Sequence, residues 1–84
     1  MRYIADVPNP HYKIGLFVWN GKYIIKVETQ FLEQIYKIAE MDLIGSPEDL
    51  VNVLSDSAFL QSISDRFEAM NNDLNESLIK LDLI

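Results

Sequence analysis

The sequence predicts one α+β domain over residues 1–84: an antiparallel β-hairpin within a two- or three-stranded sheet, then two shorter helices and a long C-terminal helix. Three observations predict it. Two β-branched and aromatic runs, residues 12–19 and 22–28, are joined by Asn20-Gly21. Beyond Thr29 the apolar residues recur at the three-to-four spacing of helices. Strand signals precede every helix signal, which favours segregated layers over a parallel sheet.

Taken in order, Arg2–Val7 reads as a short strand, ended by Pro8-Asn9-Pro10, because two prolines in three residues remove ladder donors. Asn20-Gly21 tolerates the positive φ angles of a type I′ turn, the usual two-residue hairpin link. That turn sets the register: Trp19 faces Lys22, Phe17 faces Ile24, and Lys13 faces Glu28. One face of the hairpin then collects Ile14, Leu16, Val18, Tyr23, Ile25 and Val27, the predicted core face. The other carries Lys13, Glu28 and Lys26, but also Phe17, Trp19 and Ile24, three large apolar side chains on the nominally wet side.

A medium helix is expected from near Thr29, with Phe31, Leu32, Ile35, Ile38 and Ala39 on its buried side and Gln34 and Lys37 on its wet side. Gly45 ends it. Ser46 as N-cap, Pro47 at the first helical position and Glu48-Asp49 in the first turn then start a short helix containing Leu50, Val51, Val53 and Leu54. The last helix is capped by Asp56 or Ser57. Its stripe of Leu60, Ile63, Phe67, Met70, Leu74, Leu78 and Leu81 keeps phase across Asn71-Asn72-Asp73, so one continuous helix is predicted. Over Ser57–Asp82 such a helix runs about 39 Å at 1.5 Å per residue. A compact chain of this size is only about 30 Å across. One end of the stripe is therefore expected to overhang, and a second copy is the simplest cover for it.

Composition narrows the function. Hydrophobic residues make up 49% and charged residues 24%, as in ordinary globular domains. The absence of cysteine excludes disulfides, thiol nucleophiles and cysteine-ligated metals. None of the glycines, at 15, 21 and 45, builds a phosphate-cradling loop. Asp73-Leu74-Asn75-Glu76-Ser77 lacks the glycine and distant glutamate of a calcium loop. His11 has no nucleophile or orienting acid near it in sequence and reads as a strand-edge histidine. No catalytic residue, metal site or cofactor is predicted.

The net charge of −6 is uneven. Residues 1–37 carry five basic against three acidic groups, whereas residues 38–84 carry two against ten. The acidic half would repel nucleic acid and anionic membrane, so neither is an expected partner. Asp6 and Pro8 interrupt the first apolar stretch, no run approaches the ~18 apolar residues of a membrane span, and a cytoplasmic location is expected.

The expected function is that of a small non-catalytic protein-interaction domain that self-associates as a homodimer. Its candidate partner-binding residues are Phe17, Trp19, Ile24, Phe67, Met70, Leu74, Leu78 and Leu81. The Phe17, Trp19 and Ile24 group has three readings: covered by the N-terminal strand or the Pro8–Pro10 segment, a dimer contact, or a surface for another protein. The alternative function is a small-molecule binding domain with its pocket between the sheet and the C-terminal helix.

Overall fold

The computed structural model describes residues 1–84. Four antiparallel strands, β1 (Arg2–Val7), β2 (Lys13–Trp19), β3 (Lys22–Glu28) and β4 (Glu33–Ala39), form a meander in sequence order. A single 3₁₀ turn (Glu40–Asp42), α1 (Pro47–Leu54) and α2 (Ser57–Lys80) follow. The class is α+β, with all strands ahead of all helices. No helix is long and apolar enough to cross a membrane.

The central hairpin obeys its turn. Asn20 and Gly21 adopt φ of 54° and 74°, and β2 pairs with β3 from Trp19↔Lys22 out to Lys13↔Glu28, as the two-residue link requires. β1 joins the edge of β2 through one irregularity. Tyr3 pairs with Phe17 and Ala5 with Leu16, so Ile4 is the extra residue of a bulge and packs against the core. After β1 the Asn9 side chain accepts from the backbone N–H groups of His11 and Tyr12 at 2.8 and 3.1 Å, an Asx-type turn that returns the chain into β2.

The helix expected from Thr29 is a correction: those residues form the β3–β4 turn and β4. Thr29 closes the turn by donating its backbone N–H to the Leu32 carbonyl and accepting the Leu32 N–H on its hydroxyl. Beyond it, Gln34, Tyr36 and Ile38 point to the helices, while Glu33, Ile35 and Lys37 point away. The segment satisfies both periods, and pairing decides between them. A strand here satisfies the backbone groups that β3 would otherwise leave at an open edge, which a helix would not. Phe31, expected inside, is 87% exposed at the turn.

α1 begins as predicted. Ser46 precedes Pro47, and its backbone N–H donates to the Asp49 carboxylate at 2.8 Å. Asp56 caps α2 by accepting the Phe59 N–H at 3.2 Å, and the helix runs unbroken through Asn71-Asn72-Asp73. Nine residues make the core: Val7, Ile14, Leu16, Ile25 and Val27 from the sheet, Leu50 and Leu54 from α1, and Ile63 and Phe67 from α2.

One polar residue lies inside. Gln34, placed by its sequence context on a wet helical face, is buried at 6% exposure. Its Nε2 donates to the Ile63 carbonyl at 3.0 Å, and its Oε1 accepts from the Tyr36 hydroxyl at 2.6 Å and Arg66 Nη1 at 3.2 Å. Arg66 Nη1 also donates to the Tyr36 hydroxyl at 2.7 Å. This cluster ties β4 to the N-terminal half of α2. Gln34→Ala is expected to lower unfolding free energy by about 1–3 kcal/mol, because it strands polar groups at a buried site. Urea titration measures it, and a midpoint unchanged from the parent would show that the cluster holds nothing.

Candidate interaction surfaces

The helices cover only one face of the sheet. On the opposite face, one cross-strand row reads Tyr3, Phe17, Ile24 and Lys37, with Trp19, Lys22 and Ala39 beside it toward the Asn20-Gly21 turn. Tyr3 packs edge-on to Phe17 with ring centroids 5.9 Å apart. Of the predicted group, Trp19 is 55% exposed, Phe17 is half-buried, and Ile24 is buried within the row. Of the three readings of this group, cover by the N-terminal strand is excluded: β1 lies beside β2 as the edge strand and contributes Tyr3 to the rim.

Tyr3 and Ile35, 55% and 46% exposed, are two further apolar members of this face. Helical spacing puts Ile35 on a buried side, whereas the alternation of Glu33, Ile35 and Lys37 with Gln34, Tyr36 and Ile38 is the sequence signal that places it on this face. The charges here are basic toward the turn. Lys26 pairs with Glu28 at 3.6 Å, the one ion pair of the chain, so Lys22 and Lys37 have no such partner. Partial desolvation, reinforced by the Asp6 carboxylate, raises the Tyr3 phenol above its ordinary value.

The second surface is the end of α2. The helix starts over β4, where Phe59 meets Tyr36 at 5.7 Å, and reaches the β1–β2 connection, where Phe67 meets Tyr12 at 5.4 Å. Beyond Met70 it leaves the sheet. Leu74 and Leu81 are 53% and 67% exposed, and Leu78 is half-buried. The radius of gyration, 15.1 Å, exceeds the about 12 Å of a compact chain this long, and the molecule measures 48 × 27 × 19 Å. The overhang is the reason.

The stripe therefore divides. Phe67 is a correction: it is buried in its own core rather than offered to a partner, and Met70 is partly used there too. Leu74, Leu78 and Leu81 stand beyond the sheet. One stripe thus serves two purposes, and sequence periodicity does not mark where the change occurs.

Two concavities open on the surface. One, about 280 Å³, is lined by the β3–β4 turn from Glu28 to Glu33. The other, about 150 Å³, lies on the open sheet face among Asp6, Lys13, Gly15, Phe17, Lys26 and Glu28. A Cβ at Gly15 would come within 2.9 Å of the Phe17 ring edge, so the glycine leaves that ring its room. Neither concavity lies between the sheet and α2. His11 is exposed, edge-on to Tyr12, and no three His, Asp or Glu side chains cluster as a metal site would require. Compared with protein-family models, curated proteins and solved structures, the chain matches none.

Proposed function

We propose that this chain is a small non-catalytic interaction domain that works as a homodimer in the cytoplasm, joined through the C-terminal part of α2. The observation that carries the reading is the overhang: Leu74 and Leu81 lie more than half exposed on a helix that has left its own sheet. Each buried leucine side chain contributes about 1.5–3 kcal/mol relative to an exposed one, so covering this segment is a large gain for a chain with a small core. A second copy supplies the cover at no cost in new sequence.

The open sheet face has a separate part in this reading. The side chains of Tyr3, Phe17 and Trp19, seated on the buried Ile24 and bordered by Lys22 and Lys37, have the composition of a protein-docking patch. The acidic helical half disfavours nucleic acid as the ligand. Sedimentation equilibrium at micromolar concentration tests the dimer. The expected result is a species of twice the 9.7 kDa chain mass, and a clean monomer across that range removes the reading.

A further inference from the structure

The exposed end of α2 is complementary to itself. At about 100° of turn per residue, Met70, Leu74, Leu78 and Leu81 stay within about 40° of one line along the helix. Asp73 and Lys80 flank that line on one side, and Asn71 and Asn75 flank it on the other. Asp73 and Lys80 are also equally distant from the midpoint between Glu76 and Ser77. Both are exposed, and neither has an ion-pair partner within the chain.

From this arrangement we infer that two copies pair these segments antiparallel about a two-fold axis at that midpoint, so that each Asp73 meets the partner subunit's Lys80. This rests on the self-association reading above and specifies its geometry. A two-fold axis across antiparallel helices keeps like flanks on the same side of the pair, which brings the opposite charges together twice. A parallel pair exchanges flanks, sets Asp73 beside the asparagine side, and forgoes both ion pairs.

The apolar residues agree with the same centre. Reflection through it drops the partner subunit's Leu81 between Met70 and Leu74, the partner subunit's Leu78 between Leu74 and Leu78, and the partner subunit's Leu74 between Leu78 and Leu81. Ridges thus enter grooves along the whole contact. Ser77, at the centre and at the edge of the stripe, has a side chain small enough for the axes to approach. The paired helices hold the two sheets at opposite ends, and each open face remains available.

Charge reversal and cross-linking test the register. Asp73→Lys and Lys80→Asp are each expected to weaken the dimer about five- to tenfold at low salt, and the double exchange to restore it to within about twofold. The chain has no cysteine, so introduced thiols report cleanly. Ser77→Cys is expected to form a disulfide-linked dimer under mild oxidation, whereas Leu81→Cys, far from the axis, is not. A dimer insensitive to both reversals, or one that Leu81→Cys links as readily as Ser77→Cys, overturns the antiparallel register while leaving self-association intact. A monomeric parent chain overturns both.

Discussion

Phe67→Ala is expected to destabilise the protein by about 3–5 kcal/mol, the usual range for removing a buried aromatic ring. A chain of this length has a total stability of about 4–13 kcal/mol, so the loss takes from about a quarter to all of it. The reason is local. Phe67 belongs to the nine-residue core and meets the Tyr12 ring at 5.4 Å, and only 12 of the 84 residues are buried, so few neighbours can close the cavity. Circular dichroism in urea measures the effect as a fall in the unfolding midpoint. The opposite outcome, an unchanged midpoint with loss of the dimer, would assign Phe67 to the partner.

The paired substitution Leu74→Glu with Leu78→Glu is expected to do the reverse. It should dissociate the dimer by at least about a hundredfold, since four leucines across the two copies each contribute about 1.5–3 kcal/mol of burial. The monomer so released should melt as the parent monomer does, because neither residue belongs to the protomer's core. Sedimentation velocity with thermal denaturation at matched concentration separates association from folding. A variant that stays dimeric moves the interface elsewhere, with the open sheet face as the next place to look. Phe67 and Leu74 are two helical turns apart on one stripe, and the contrast between them tests the division of α2 into a packed half and an offered half.

Much of the fold was legible because its determinants are local. Asn20-Gly21 requires positive φ at two residues, and that condition propagates as register through every pair of β2 and β3. Ser46-Pro47 and Asp56 mark helix starts by side-chain chemistry that acts within four residues. The overhang was legible from length alone, because an unbroken stripe of that extent exceeds the width of a small domain. Along the candidate surfaces, Leu74 and Leu81 lie exposed beyond the nine-residue core and Leu78 half-buried, while on the hairpin's second face Trp19 is exposed and Ile24 is buried.

The local chemistry of this chain therefore determined the hairpin, the caps, the continuity of α2 and its excess length. Tertiary structure alone decided the state of residues 33–39, the burial of Gln34 and the point at which α2 leaves the sheet. Those residues carry a pattern compatible with either a strand or a helix, and the choice came from the open edge of β3, whose backbone groups need partners supplied from another part of the chain. Gln34 became an interior residue only once that strand placed it under Ile63 and beside Tyr36 and Arg66, where its donors and acceptors are met. A residue's own chemistry states which hydrogen bonds it needs, and only the assembled sheet and helix determine where they are made.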